Sequence, residues 1–316
     1  MNPSPHLPRS EAEFIAAIAE ATLEKTRKEH RPGTVAGRAL HSKSHGMVKA
    51  RFAVRAGLPA ELRVGLFATP GEFDALVRFS NGKGGAQRFD VLPNIRGLAV
   101  KVLGVPGTKA LPGEENATEH DFLLANDPVS FAATIEQMFL VATGQLKKLR
   151  ADHPRIFRLL LNSALKWVGN LLQLSYYSQV PYAFGERACK FALIPIDETP
   201  AAPLLSRLGR DYLRKAAERS LRSREVRFQF CVQLQQDAAR ESLEDSTVEW
   251  AGPYVPVADL TFLKVTQPIR ESDGEELSFH PWRALKAHQP LGWPGRARLA
   301  AYTASFRWRE QQNRPA

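Results

Sequence analysis

"VRFQFCVQL", residues 226 to 234, is the clearest strand in the sequence and decides the class of the fold. Its apolar side chains occupy alternate positions, so that Val226, Phe228 and Phe230 face the same side. A strand with one apolar face belongs to a sheet that buries this face. Similar patterns occur at "MVKARFAV" (47 to 54), "ALVRFSNG" (75 to 82), "GLAVKVLG" (97 to 104), "HDFLLAN" (120 to 126), "ACKFALIP" (188 to 195) and "LTFLKVTQ" (260 to 267).

Helical patterns lie around these strands. Ser10 is a suitable N-cap for a helix that would end at Pro32, and further helical blocks cover residues 129 to 149, 155 to 174 and 203 to 222. Short strands joined by turns, with the helices in insertions and at the C-terminus, favour an α+β fold: an antiparallel β-barrel of about eight strands with surrounding helices. We expect residues 1–35 to form an N-terminal tail and helix, and residues 36–316 a single domain.

The composition is that of an ordinary globular protein, with 44% hydrophobic and 24% charged residues in a chain of 316. The net charge of +10 raises nucleic acid as a partner, but the basic residues are spread along the sequence, and we expect none. Cys189 and Cys231 lie in strand-like runs and are expected to be reduced and buried. No secretory signal pattern is present at the start of the sequence, which predicts a cytoplasmic location.

The most apolar stretch, residues 156 to 174, contains Arg158 and Lys166 and is therefore too polar to cross a bilayer. We expect it to be buried against the core or a partner subunit. Contact with a membrane surface, or a role as an entrance for a hydrophobic substrate, is the alternative.

"RARLAAYTASFRWR", residues 296 to 309, surrounds a single tyrosine with arginines. In a helix, Arg298 and Arg309 would share one face with Tyr302. A phenol has a pKa of about 10, so one arginine alone cannot keep it ionised at neutral pH, whereas a ferric ion can. Tyrosinate is a known axial ligand of ferric haem, and the haem propionates would require further arginines. An amphipathic surface helix with a half-buried tyrosine is the simpler alternative.

A second group of polar residues comes from "GRALHSKSHG" (37 to 46) and "VRFSNG" (77 to 82). In an extended segment His41, Lys43 and His45 would point the same way. Arg78 and Ser80 share one face of their strand. A neighbouring strand could therefore offer a hydroxyl to a histidine nitrogen and a guanidinium to a carboxylate.

Together these stretches resemble the haem catalase family, and specifically its short, catalase-related peroxidase members. The matching segments occur in order over about residues 36 to 310: "RALHSKSHG", "LRVGLFATPGEFDALVRFSNG", "NIRGLAVKVLG", "HDFLLANDPVSF" and "SFHPWRALKAHQPLGWPGRARLAAY". The resemblance implies a catalase-like core and a haem b cofactor.

The resemblance also implies roles for individual residues. Tyr302 would be the proximal iron ligand, with Arg298 bonded to its phenolate. Arg38, Arg78 and Arg309 would pair with the haem propionates, and Phe131 would contact the haem. On the opposite side of the haem, His41 would move a proton between the two oxygens of a peroxide, and Ser80 would fix its ring. Arg307 is a further basic residue of the last helix whose role is less certain. His45 is a less well placed alternative to His41.

Two departures from the family bear on function. Where the family has consecutive asparagines, this chain has Ala125 and Asn126, so that Asn126 serves as the distal asparagine only with a shift of one residue. The chain is also shorter than a catalase, which favours reaction with organic molecules.

We therefore expect a peroxidase that acts on hydrogen peroxide or organic hydroperoxides, with an organic electron donor and weak catalase activity. The alternatives are rearrangement of fatty acid hydroperoxides, as in allene oxide synthases, and haem binding without catalysis. We expect a dimer or a smaller assembly, and no stable membrane insertion.

Overall fold

The computed structural model describes residues 10–30, 34–38, 40–82, 85 and 88–313. The strands in these ranges are β1 (Lys43–Val54), β2 (Gly71–Asn81), β3 (Arg96–Val102), β4 (His120–Ala125), β5 (Tyr176–Tyr177), β6 (Tyr182–Phe184), β7 (Arg187–Pro195), β8 (Val226–Leu234) and β9 (Val255–Phe262). The α-helices are α1 (Glu11–Glu29), α2 (Ile135–Ala142), α3 (Leu146–Asp152), α4 (Pro154–Ala164), α5 (Tyr212–Ser223) and α6 (Gly292–Gln312).

The sheet closes on itself. Its strands follow the order β5-β4-β3-β2-β1-β9-β8-β7-β6, and β5 also pairs with β7, where Tyr176 lies opposite Leu193. All pairings are antiparallel, and within the described residues eight strands form a closed ring to which β6 adds one edge. The predicted antiparallel barrel with surrounding helices is confirmed.

Aromatic side chains fill the inside of the barrel. The ring centroids of Phe122 and Phe230 are 4.6 Å apart, and those of Phe52 and Phe230 are 5.2 Å apart. These rings are almost completely buried, as are the inward residues of β8. A small barrel filled by side chains holds no large ligand, so any cofactor must bind outside it.

Strand positions agree with the sequence patterns except at β9. The pattern placed this strand at residues 260 to 267, whereas it covers Val255–Phe262. The reason is its partner, because β8 begins at Val226, which lies opposite Phe262. Later residues have no position of β8 to pair with. β5 and β6 are too short to show a period.

Three predicted helical blocks are shorter than their patterns. The block at 129 to 149 becomes α-helical only from Ile135 and is interrupted after Ala142, where Gly144 has a positive φ. The block at 155 to 174 ends as an α-helix at Ala164, and the block at 203 to 222 becomes α-helical only from Tyr212. A Cβ atom on Gly169 would lie 2.7 Å from the Cβ of Ala201, so the two segments cross too closely there for a larger residue.

The stretch from 156 to 174 is partly buried against the core, whereas Leu165 and Trp167 are exposed on the single chain. No helix in the described ranges has the length and apolar character needed to span a bilayer.

Helix α1 packs along α6 and helps to fix its position. Ser10 caps α1 as predicted, accepting a hydrogen bond from the backbone nitrogen of Glu13. The hydroxyls of Thr26 and Ser305 are 3.2 Å apart, and Arg296 forms an ion pair with Glu11. Tyr302 therefore lies on a helix that is held at both ends.

Candidate functional site

His41 lies just before β1 in a left-handed conformation, with a φ of 57°. The extended geometry expected from the sequence is therefore wrong at this position. Lys43 and His45 point into a separate buried network, where Lys43 pairs with Asp90 and the His45 Nε2 atom lies 2.8 Å from the amide oxygen of Asn81. His41 is directed elsewhere, and the structure separates it from His45.

The His41 ring is held between two strands. Its Nδ1 atom is 2.9 Å from the Oγ atom of Ser80 on β2. On β3, a Cβ atom at Gly97 would lie 2.4 Å from the Cε1 and Nδ1 atoms of the ring. The space that holds the imidazole therefore exists because residue 97 is a glycine.

Arg78 holds the backbone of the same histidine. Its Nη2 atom donates to the carbonyl oxygen of His41 at 3.0 Å and to Oε1 of Glu275 at 2.8 Å. A non-glycine residue with positive φ requires support from its surroundings. This guanidinium provides it.

Arg38 and Arg309 converge on the same acidic residue. Arg38 forms an ion pair with the Glu275 carboxylate at 2.8 Å, and Arg309 donates to the Glu275 carbonyl oxygen at 2.6 Å. Burial and the charges of Arg78 and Arg309 lower the pKa of Arg38 well below its usual value, although Glu275 opposes them. Burial alone would raise the pKa of Glu275, but Arg78 and Arg38 outweigh it and the pKa is lowered.

This arginine cluster, Arg38, Arg78 and Arg309 around Glu275, carries an excess of positive charge. Arg38 and Arg78 contact the Glu275 carboxylate and Arg309 contacts the Glu275 backbone carbonyl, so that among the described residues three positive charges share one negative charge and two remain in excess. Buried charges of one sign require counter-charges. The cluster is therefore suited to a ligand with two acidic groups.

Tyr302 is half-buried on α6, as the helical pattern predicted. The Arg298 guanidinium lies 5.8 Å from its ring centroid, and an Arg298 Nη1 atom donates to the hydroxyl of Tyr182 at 3.2 Å. Burial lowers the pKa of Arg298, but the hydroxyl groups of Tyr182 and Tyr302 outweigh it, and the pKa is raised. Arg298 thus remains charged beside two phenols.

His41 is a neutral imidazole among positive charges. Burial, followed by the charges of Arg78, Arg298 and Arg38, lowers the pKa of His41 to about 4. The side chain is half-buried. The imidazole is neutral at pH 7.

Asn126 has an unused hydrogen-bond donor. Its Oδ1 atom accepts from the backbone nitrogen of Arg96 at 2.8 Å, whereas its buried Nδ2 atom has no partner in the part of the chain that the structure describes. Arg96 directly precedes Gly97, which touches the His41 ring. Ala125 pairs with Gly97 in the sheet and offers no polar side chain.

The remaining sequence candidates lie at the margins of this site. Phe131 is half-buried and packs against clusters that include Ala297 and Ala301, the neighbours of Arg298 and Tyr302 on α6. Arg307 is exposed to solvent. The structure therefore brings together most of the predicted residues but leaves Arg307 outside.

Sequence reasoning missed three residues of the site. Gly97 was visible only as part of a matched segment, Tyr182 lies in a strand of three residues, and Glu275 is one of two adjacent glutamates in a turn-rich segment. The pairing of Arg78 with a carboxylate was expected, but nothing in the sequence identified the carboxylate.

An iron porphyrin can be tested against this set of donors. Tyr302 beside Arg298 suits a ferric ion, since a neighbouring cation favours the phenolate. The two excess positive charges of the arginine cluster match the two propionates of haem b. The buried Asn126 amide, which has no partner for its nitrogen among the described residues, adds a donor next to Ala125, the residue that pairs with Gly97. The residues present fit the group.

Comparisons with known proteins identify a curated relative and solved structures with the same fold. No protein-family model matches the chain. It is 24% identical over 254 residues to a catalase-related peroxidase from Mycolicibacterium paratuberculosis, which covers 77% of this chain and 80% of that protein.

Solved structures of catalases share the fold. Catalase A from Saccharomyces cerevisiae matches 98% of this chain with a TM-score of 0.63 and 16% identity, and a bacterial catalase matches 99% with a TM-score of 0.64 and 14% identity. A fungal catalase matches 88% with a TM-score of 0.63 and 17% identity. The chain covers only 60% to 67% of the length of these three catalases. The chain thus has the fold of the catalases and is similar in sequence to a catalase-related peroxidase.

Proposed function

We propose that this chain is a haem b-dependent peroxidase that acts on hydrogen peroxide or organic hydroperoxides, is reduced by an organic donor, and has weak catalase activity. The observation that carries the proposal is the hydrogen bond between Ser80 and His41, a histidine whose pKa the charge of Arg298 helps to lower. A neutral imidazole, a tyrosine beside an arginine and a cluster suited to two carboxylates are the parts that such an enzyme requires.

Tyr302 would hold the iron of the haem, the ferric ion would ionise its phenol, and Arg298 would lie beside the bound oxygen as a positive charge. Arg38, Arg78 and Arg309 would bind the propionates, with Glu275 compensating the third charge. Phe131 would pack against the porphyrin from the side of α6. The bound haem would supply the redox centre at which the peroxide bond is cleaved.

His41 would move the proton that this cleavage needs. With Nδ1–H donated to Ser80, the Nε2 atom keeps its lone pair and can accept a proton from one peroxide oxygen and return it to the other. The pKa of about 4 ensures that the ring starts unprotonated at neutral pH. The unpartnered Nδ2 atom of Asn126 would donate a hydrogen bond to the peroxide. It would take the role of the family's asparagine, whose position Ala125 occupies here.

The name of the curated relative, a catalase-related peroxidase, supports peroxidase activity.

Haem binding is tested by the absorption spectrum of the purified chain after supplementation with ferric haem. We expect a high-spin ferric spectrum, and Tyr302→Phe should lose the haem or change the Soret and charge-transfer bands. Tyr212→Phe is the matched control, because Tyr212 lies on α5 and its hydroxyl donates to the backbone carbonyl of Val168. A colourless protein, or an unchanged spectrum in Tyr302→Phe, would refute the assignment.

Turnover is tested with His41→Ala, assayed for oxidation of an organic donor and for oxygen release from hydrogen peroxide. We expect a loss of about 100-fold or more, the usual range for a general acid-base group. His153→Ala, at the junction of α3 and α4, is the control. Unchanged activity in His41→Ala would indicate a haem carrier. Loss of lipid hydroperoxide without donor oxidation, with an epoxide product, would indicate a rearranging enzyme.

A further inference from the structure

Three leucines project into solvent from the short 3₁₀ helix Leu204–Leu208. Leu204, Leu205 and Leu208 are 75%, 84% and 72% exposed. Leucine side chains with so little cover are costly in water, and a group of them marks a surface that is covered in some other state.

A second set of exposed apolar residues lies beside them. The Arg207 guanidinium sits 3.8 Å from the centroid of the Trp167 ring, and the backbone nitrogen of Ala202 donates to the carbonyl oxygen of Gly169. The segment after α4 and the 3₁₀ helix are thus adjacent. We define the apolar patch as Leu161, Leu165, Trp167, Leu204, Leu205 and Leu208.

Cations predominate in the two segments that carry the apolar patch. Residues 154 to 169 and 199 to 210 contain five basic residues and no acidic one: Arg155, Arg158, Lys166, Arg207 and Arg210. Arg158 lies on the same face of α4 as Leu161 and Leu165, at spacings of three and seven residues. Lys166 and Arg210 pair with Asp127 and Asp211 from outside the two segments, which leaves three cations around exposed leucines and a tryptophan.

The charge pattern discriminates between possible partners. A second copy of the chain would bring like charges together across an apolar contact, which opposes association. An anionic lipid surface provides both an apolar interior for leucine and tryptophan and acidic headgroups for arginine.

From these features we infer that the apolar patch docks the protein on anionic phospholipid membranes, with the leucines of the 3₁₀ helix inserted below the headgroups. Docking needs no spanning helix and does not depend on haem. It would bring a peroxidase to the membrane in which lipid hydroperoxides form, and so supplies a source for one of the proposed substrates.

The test is co-sedimentation of the full chain with vesicles of phosphatidylcholine alone and of phosphatidylcholine with phosphatidylglycerol. We expect binding to the anionic vesicles that weakens as salt is raised. Leu205→Ser should reduce the partition coefficient about tenfold, since it removes one inserted side chain. The matched control is Ile196→Ser, because Ile196 is also exposed but is followed by Asp197 and Glu198. It should bind like the wild type.

Three outcomes would overturn the inference. They are equal binding to neutral and anionic vesicles, equal losses in Leu205→Ser and Ile196→Ser, and absence of binding by a correctly folded wild type. Light scattering without vesicles tests a fourth outcome. If the wild type is a dimer and Leu205→Ser is a monomer, the patch is an interface between two copies of the chain and the inference is overturned. Each measurement applies equally to haem-free protein, so failure here leaves the proposed peroxidase function untouched.

Discussion

The Nδ1 atom of His41 lies 2.9 Å from the Oγ atom of Ser80, and this contact joins a residue in left-handed backbone to the end of strand β2. Ser80 thereby sets the orientation of the imidazole. The side chain that would move the proton is thus positioned by a rigid strand, although it lies in a loop itself.

Ser80→Ala should therefore reduce peroxide turnover without displacing haem. We expect a decrease of about tenfold in the rate constant for reaction with peroxide, because the ring loses orientation while keeping its basicity. Stopped-flow absorbance measures this rate directly. A variant that reacts at the wild-type rate would remove Ser80 from the mechanism.

Gly97→Ala should have a larger effect on the same step. The new methyl group would lie 2.4 Å from two ring atoms of His41 and 2.9 Å from the Ser80 hydroxyl, distances that force the ring to move. We expect the loss to approach that of His41→Ala, about 100-fold. Haem affinity should change much less than turnover.

The control for this variant is Gly71→Ala, at the start of β2. A Cβ atom there would meet only Phe73, at an ordinary distance of 3.7 Å. Turnover measured with a haem-saturated sample separates the effect on His41 from an effect on loading. Equal activities of the two glycine variants would contradict the close packing of the ring against β3.

The sequence predicts the longer strands of the barrel well because each of them carries its own apolar pattern. β8 covers the predicted residues, since its alternating apolar positions all face the aromatic interior. β9 is displaced because its limits depend on the partner strand, which a local pattern does not encode. The helix from 155 is shorter than its pattern for a similar reason: the close approach of Gly169 to Ala201 is a tertiary contact, which a local pattern does not encode.

Residues of the site could be predicted where a strand sets their direction. Arg78 and Ser80 were expected on one face of β2, and the structure places them beside Glu275 and His41. Glu275 itself lies in a turn-rich segment far along the chain, where no period indicates direction. The left-handed backbone of His41 is likewise unpredictable, because it depends on support from Arg78.

Glu275→Gln should destabilise the haem-free protein. Arg38 and Arg78 would keep their charges but lose their anionic partner, at a cost of about 3 kcal/mol in the free energy of unfolding. If the propionates bind this cluster, haem should restore part of the loss, because its two carboxylates would compensate two of the three arginine charges. The increase in melting temperature on adding ferric haem should thus be larger in the variant than in the wild type.

Two controls make this result specific. Glu276→Gln changes the adjacent glutamate, which is exposed, and should leave both melting temperatures as in the wild type. Haem dimethyl ester has no free carboxylates and should stabilise Glu275→Gln no more than the wild type. An equal gain from haem in both proteins would show that the propionates bind elsewhere.

Acid should unfold the protein at mildly acidic pH because its fold buries neutral histidines. Burial lowers the pKa of His45 and of His288 to about 4 and that of His280 to about 3, and it lowers that of His120 well below the usual value. In the unfolded chain each would titrate at about 6.5. Between these values the unfolded state binds more protons, so stability is complete above pH 6.5 and falls as the pH is lowered towards 4.

His120 offers a way to measure one of these protons. Its Nδ1 atom accepts from the backbone nitrogen of Leu285 at 3.4 Å, its Nε2 atom has no partner in the described ranges, and its ring stacks on Phe122 at 4.4 Å. His120→Phe keeps the stacking but cannot be protonated. Denaturant unfolding at pH 7.5, 6 and 5 should therefore give a dependence of the free energy on pH that is shallower by about one proton in the variant. A slope identical to that of the wild type would mean that the pKa of His120 is the same in the folded and unfolded chains. Its burial would then have no electrostatic cost.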